Sequence, residues 1–276
     1  MDYKKILTIQ DISCVGQCSM TVALPIISAC GIETCVLPSA VLSTHTAGFK
    51  GFTFRDLACD MPAINEHWVK EGIFFDGIYT GYLGSKEQVD YVKNIAKTTL
   101  KEGGAIIVDP AFADGGKLYP IFDSAYVDKM KELVPISDYL LPNLTEACFL
   151  TGLEYKTEYD ENYIKTVCNK LIDLGAKTVV LTGVSYEKGY TGICVITSGS
   201  YYYYKHEFLP NSCHGTGDIY ASSFVGALMN GKTAEQSAKI AGDYTVECIK
   251  LTACDKEHWY GAKFEPCLPF LISLVR

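Results

Sequence analysis

The sequence predicts an α/β protein with a doubly wound, mostly parallel central sheet, flanked by helices and ending in an antiparallel edge hairpin. Three observations carry this. Short, continuously apolar runs recur along the 276 residues, as expected of strands buried on both faces of a parallel sheet. Helical patterns separate them, at lengths suited to crossover connections. Two late strand-like runs flank the turn Thr197-Ser198-Gly199-Ser200, which is a hairpin signal.

Taken in order, strands are expected at residues 5–9, 34–37, 76–80, 105–108, 138–141, 178–181, 192–196 and 201–206. The first six are the parallel set. Between them, Ser85 and Gln88 have capping-box spacing. Val89, Val92, Ala96 and Leu100 continue at helical spacing, and Gly103-Gly104 is expected to stop that helix. Ile164, Val167, Cys168, Leu171, Ile172 and Leu174 form a second apolar stripe, closed by Gly175. Thr233 and Gln236 make another capping box, ahead of a helix reaching about Leu251, and a last packing helix is expected within 266–276. Stripes of this kind are core faces. The run Tyr201-Tyr202-Tyr203-Tyr204 fits an edge strand with tyrosines on both faces, or a stacking platform. No linker, repeat or low-complexity tract intervenes, so residues 1–276 read as a single domain.

Composition excludes several classes. Hydrophobic residues make up 48 % and charged residues 20 %, unlike a disordered or collagen-like chain. The net charge is −8 with no basic run, so nucleic acid is not expected as a partner. No apolar run nears the roughly 20 residues of a membrane span. Residues 1–5 lead straight into a short apolar strand, with nothing like a signal peptide. Twelve cysteines, none in a CxxC pair and most inside apolar stretches such as Ile193-Cys194-Val195, read as buried thiols in a reducing cytosol. A cytoplasmic location is therefore expected. The five histidines show no zinc-ligand spacing. A Walker A loop, a GxGxxG after the first strand and a GxSxG elbow are all missing.

The most informative stretch is Cys213-His214-Gly215-Thr216-Gly217-Asp218. Glycines let consecutive N–H groups point into one concavity. The helix that follows adds unsatisfied N–H donors and a partial positive charge. Together they suit a phosphate or a phosphoryl group in flight. Asp218, in the first turn, either answers the helix dipole or acts as general base on a hydroxyl beside that anion hole. Cys213 is either a packed or a reactive thiol.

GTGD late in the chain, after the hairpin, resembles the ribokinase-like superfamily of small-molecule kinases. Five further segments extend the likeness: Ile9-Gln10, Ser43-Thr44-His45-Thr46, Thr80-Gly81-Tyr82-Leu83-Gly84-Ser85, Asp109-Pro110, and Leu141-Pro142-Asn143-Leu144-Thr145-Glu146. Together, from about residue 5 to residue 251, they resemble the pyridoxal (pyridoxine, pyridoxamine) kinases. The resemblance implies transfer of the γ-phosphoryl group of ATP to the 5′-hydroxyl of a B6 vitamer. It implies Asp218 as base, with the N–H groups of Gly215, Thr216 and Gly217 holding the developing charge. Asp109, Asp114, Asn143, Glu146 and Thr182 would lie about the ATP phosphates. Asp109 and Glu146 would hold Mg²⁺, in part through water, and a monovalent cation such as K⁺ is a further implied cofactor. Asp11, His45, Thr46 and Tyr82 would meet the vitamer. The hairpin and Leu209-Pro210 would flank adenine. A homodimer acting on small-molecule substrates is the implied assembly.

Two positions depart from that pattern. Asp11 stands where the family usually has Ser, and a carboxylate suits a protonated ring nitrogen or the amine of pyridoxamine. His214 before GTG is similar to the hydroxymethylpyrimidine kinases of thiamine synthesis, which commonly carry Cys at the position of Asp218. Hydroxymethylpyrimidine (phosphate) kinase, or a dual activity, is thus the alternative. A non-catalytic vitamer-binding protein is a third, opposed by the complete GTGD.

Overall fold

The computed structural model describes residues 3–210, 213–255 and 257–276. Met1 and Asp2, at the start of the N-terminal lead, lie outside the described residues. The strands are β1 (Lys5–Ser13), β2 (Glu33–Leu42), β3 (Phe54–Asp56), β4 (Phe75–Thr80), β5 (Leu100–Val108), β6 (Ala113–Asp114), β7 (Lys117–Leu118), β8 (Tyr139–Leu140), β9 (Thr178–Val184), β10 (Tyr190–Thr197) and β11 (Ser200–Glu207). The helices are α1 (Met20–Ala29), α2 (Met61–Lys70), α3 (Lys86–Thr99), α4 (Ser124–Met130), α5 (Leu144–Thr151), α6 (Glu161–Asp173), α7 (Thr216–Met229), α8 (Ala234–Ala253) and α9 (Leu268–Val275).

Nine strands form one sheet in the order β11-β10-β9-β8-β5-β4-β1-β2-β3. The six strands expected to be parallel are parallel. The hairpin β10–β11 runs antiparallel at one edge. From β1 the chain passes to β2 on one side and, later, to β4 on the other. That reversal opens a crevice at the carboxyl ends of the strands, where ligands of open α/β sheets bind.

Strand residues alternate between two cores because successive side chains leave opposite faces. Leu7, Ile78, Ile106, Val108 and Leu181 face a core with α2 to α6. Ile6, Tyr79, Ile107 and Val180 face a core with α1, α7, α8 and α9. The tyrosine run obeys the same rule: Tyr201 and Tyr203 pack on the first core, Tyr202 and Tyr204 on the second. Helix α7 is buried along nearly its whole length after the first turn. Among the described residues, no helix is long and apolar enough to cross a membrane.

Several local expectations need correction. Gly103 and Gly104 do not stop α3. The helix ends at Thr99, and both glycines lie in β5, where the pairing with β4 is irregular and Gly103 takes φ 75°. Only half of the Ser85 capping box forms. Ser85 accepts from Gln88 N–H, but the buried Gln88 amide binds Gly84 N–H, Ser39 O and Asp56 Oδ1, tying α3 to β2 and β3. The stripe on α6 stops short too: Ile172 is half-buried and Leu174 exposed, as the helix turns away towards Gly175. Strand β3 and the β6–β7 ribbon, too short to show a pattern, were not expected from the sequence. The boxes at Asn143/Glu146 and Thr233/Gln236 both form.

Phe224 anchors α7 to the sheet, with its ring fully buried and edge-on to Tyr139 at 5.9 Å. Phe224→Ala is expected to cost about 3–5 kcal/mol, read from the urea unfolding midpoint.

Candidate active site

Helix α7 starts at Thr216, capped by Gly215 in the left-handed conformation at φ 77°. A Cβ at Gly215 would overlap the carbonyl oxygen of Gln17. Only glycine lets the helix begin so close to the loop between β1 and α1. That loop is itself strained: Gln17 and Ser19, neither a glycine, take φ 50° and 52°. Residues near the C-terminus hold it. The Gln17 amide donates to Glu265 at 2.9 Å, and His258 Nε2–H donates to Gln17 Oε1 at 2.9 Å. Ala262 N–H donates to His214 O at 3.1 Å.

Asp218 lies in the first turn of α7, where the helix dipole favours an anion. Ser19 N–H hydrogen-bonds its carboxylate. Burial nevertheless raises its pKa from 3.8 to about 7, and the nearby Asp11 charge adds to the rise. Asp218 keeps part of its surface open to two cavities, of about 380 and 530 Å³, and lines both. Tyr119 and Ala111 also line both. Burial, with the Glu146 and Asp109 charges, pushes the Tyr119 hydroxyl well up, so it remains a donor.

The first cavity follows the carboxyl edge of the sheet past Asp109, Asn143, Glu146 and Thr182, with Thr216 and Gly217 on the facing side. Glu146 and Asn143 form a closed set. Glu146 Oε1 accepts from Phe112 N–H at 3.0 Å and Oε2 from Asn143 N–H at 3.0 Å. Asn143 Oδ1 accepts from Glu146 N–H at 2.9 Å, and its amide donates to Ala113 O at 2.8 Å. Burial raises the Glu146 pKa to about 7, against the pull of those backbone donors. The Asp109 carboxyl is also raised, first by burial and then by the Glu146 and Asp218 charges. Among the described residues, no lysine or arginine lines this cavity. Its far end runs between Ile193 and His206 on the hairpin and Gly242, Thr245 and Ile249 on α8. Leu209 and Pro210 are not among the described residues lining it.

The second cavity is lined by Asp11, Ser19, His45, Thr46, Tyr82 and Gly215. Opposite Asp11 the β1–β2 ladder slips register, a device that re-aims side chains beside active sites. His45 offers a ring face only, since both nitrogens bind backbone: Nε2–H donates to Tyr260 O at 2.7 Å and Nδ1 accepts from Ala47 N–H at 3.1 Å. Asp114 sits at the boundary, lines this cavity, and accepts from Gly115 N–H at 2.7 Å. Burial, with the His45 ring 5.2 Å away, lowers the His214 pKa.

The thirteen residues singled out from the sequence therefore all line one cavity or the other. Ser19 and Tyr119 had no signal there. A positive φ at serine leaves no compositional trace, and Tyr119 reaches the site only because the β6–β7 ribbon folds back.

Two cavities sharing one carboxylate at a helix start leave room for two small molecules to meet at a single acidic side chain. With this sheet topology, that is the arrangement of a ribokinase-like small-molecule kinase. The chain belongs to the phosphomethylpyrimidine kinase family, whose family model matches residues 24–263. It is 34 % identical to a Bacteroides thetaiotaomicron protein described as a phosphomethylpyrimidine kinase and crystallised with pyridoxal, with a TM-score of 0.93 covering 98 % of this chain and 96 % of that one. Pyridoxal kinase from Lactobacillus plantarum superposes with a TM-score of 0.90 at 29 % identity, covering 98 % and 97 %. Pyridoxal kinase from Dictyostelium discoideum is 29 % identical over 239 residues, which is 80 % of this chain and 77 % of that protein.

The two glycines of the loop differ in a testable way. Gly215→Ala must displace the Gln17 carbonyl, and turnover is expected to fall about 100-fold through misplacement of the helix start, with a lower melting temperature. At Gly217 a Cβ meets nothing, so Gly217→Ala is expected to keep the melting temperature of the parent.

Proposed function

We propose that this kinase transfers the γ-phosphoryl group of ATP to the 5′-hydroxyl of a B6 vitamer: pyridoxal, pyridoxamine or pyridoxine. The observation that carries the reading is the position of Asp218 between the two cavities. The first cavity takes the nucleotide, its base between the hairpin and α8 and its phosphates towards Gly217. The second takes the vitamer, with Thr46, Tyr82 and Asp11 around the ring. The 5′-hydroxyl gives its proton to the Asp218 carboxylate as its oxygen bonds to the γ-phosphorus, and the bond to the ADP oxygen breaks. The N–H groups of Gly215, Thr216 and Gly217 stabilise charge on the group in transfer. Pyridoxal bound by the Bacteroides relative supports the vitamer as acceptor.

The donor set fits Mg²⁺. The Glu146 charge lies close enough to raise the cost of charging Asp109, with no cationic side chain among the described residues lining their cavity. Glu146 already accepts three backbone N–H groups, so it would hold the ion through water, which Mg²⁺ retains readily. When bound, Mg²⁺ supplies the positive charge that offsets the triphosphate. Asp114, Asn143 and Thr182 would orient the phosphates. A monovalent cation, a homodimer, a cytoplasmic location and a single domain over 1–276 complete the reading. The family resemblance supports the first two, and the one continuous nine-stranded sheet the last.

Hydroxymethylpyrimidine phosphorylation is the second reading, favoured by His214 and by the family match. A coupled ADP-release assay with Mg-ATP against pyridoxal, pyridoxamine, pyridoxine and hydroxymethylpyrimidine separates the two. The pyridines are expected to turn over fastest, and preference for hydroxymethylpyrimidine would reverse the assignment.

Asp218→Asn is expected to lower kcat by roughly 10²–10⁴-fold with ADP affinity retained. Parental turnover in that variant would remove the base assignment. Activity requires the carboxylate, so kcat/KM is expected to fall tenfold per pH unit below about pH 7. Stability has the opposite slope. Between pH 3.8 and about 7 the folded state holds a proton at Asp218 that the unfolded chain has lost. Its contribution is full below that window and disappears as pH rises through it. Asp218→Asn is therefore expected to raise the melting temperature at pH 8 and to change it little at pH 4.

A further inference from the structure

Asp11 is a buried carboxylate that phosphoryl transfer itself does not use. It is 5 % exposed and lines the acceptor cavity. Its side-chain hydrogen-bond partners are hydroxyl groups, and His45 is the one basic side chain whose charge acts on it. Ser13 Oγ donates to Oδ2 at 2.9 Å, and the Ser19 hydroxyl also binds the carboxylate. The nearby imidazole of His45 spends its one proton on Tyr260 O and its lone pair on Ala47 N–H. Among the described residues, no lysine or arginine lines the cavity. A buried carboxylate is costly until a cation pairs with it, and the open side of this one faces the space where the acceptor binds.

Ser19 sets where that acceptor lies. Its N–H serves Asp218 and its hydroxyl serves Asp11, and it holds φ 52° in doing so. One residue thus spans the two carboxylates. An acceptor with its hydroxyl on Asp218 brings the rest of its ring alongside Asp11.

We propose that Asp11 is the receptor for a protonated nitrogen of the acceptor substrate, and so selects cationic acceptors over neutral isosteres. The inference rests on the vitamer reading above. Two nitrogens share the chemistry, the ring nitrogen and the 4′-amine of pyridoxamine. Each would donate an N⁺–H hydrogen bond to the carboxylate, a contact roughly twice as strong as its neutral counterpart.

The test compares the parent with the isosteric Asp11→Asn. Pyridoxamine, pyridoxine and the benzene analogue of pyridoxine are each measured as substrate or competitive inhibitor. ADP affinity serves as the control for folding, and Asp11→Ser is used if Asp11→Asn fails that control. The acceptor whose nitrogen pairs with Asp11 is expected to lose about 10–100-fold in kcat/KM or affinity. Loss confined to pyridoxamine assigns the amine. Loss for pyridoxamine and pyridoxine, with the benzene analogue unchanged, assigns the ring nitrogen. Equal loss for all three compounds, or loss for none, overturns the proposal. If the parent prefers hydroxymethylpyrimidine, the vitamer reading fails separately. The same comparison with that compound and its ring-carbon analogue then decides the role of Asp11.

Discussion

One close approach organises the site: the backbone of Gly215 against the carbonyl of Gln17. It brings the start of α7 onto the loop leaving β1. Ser19 N–H then reaches Asp218, and the two cavities meet at that carboxylate. The approach needs strain on one side, at Gln17 and Ser19, and glycine on the other. Contacts from Glu265, His258 and Tyr260 hold the strained loop and its neighbour His45 in place. Strain of this kind persists only where surrounding contacts over-determine it. Here those contacts come from residues some 240 positions along the chain, since Gln17 and Glu265 are separated by 248.

Electrostatics divides the site in the same way. Asp11, Asp109, Glu146 and Asp218 are gathered at the carboxyl edge of one sheet, and burial raises the pKa of each. No lysine or arginine among the described residues lines either cavity to balance them. On the proposed reading that balance would come from ligands: a metal ion with the nucleotide on one side, and the acceptor on the other. Holding four carboxylates this way destabilises the empty fold and makes ligand binding stabilising by mass action. A carboxylate with a pKa near 7 also has the poise that a general base at neutral pH requires.

Much of this was legible in the residues. The eight expected strands, the parallel set and the hairpin follow from apolar runs long enough to be read, and each is present. The boxes at Asn143/Glu146 and Thr233/Gln236 formed because their partners are three residues apart and need no tertiary help. Gln88 shows the limit. Its spacing from Ser85 is right, but a buried amide serves several backbone and side-chain partners at once, and β2 and β3 claimed it. Gly103-Gly104 fails similarly, because the same residues that end a helix also permit an irregular strand.

By itself the sequence determined what local chemistry can specify: a parallel sheet, a glycine-capped helix start with an acid in its first turn, and a set of acids at strand ends. Only the tertiary structure decided that these acids share one site. It also decided that Asp218 lies between two cavities, that His45 has no proton to spare for Asp11, and that Ser19 spans Asp11 and Asp218. Those facts depend on contacts between residues distant in the chain. Such contacts form when the two cores close on the sheet, and no local pattern encodes them.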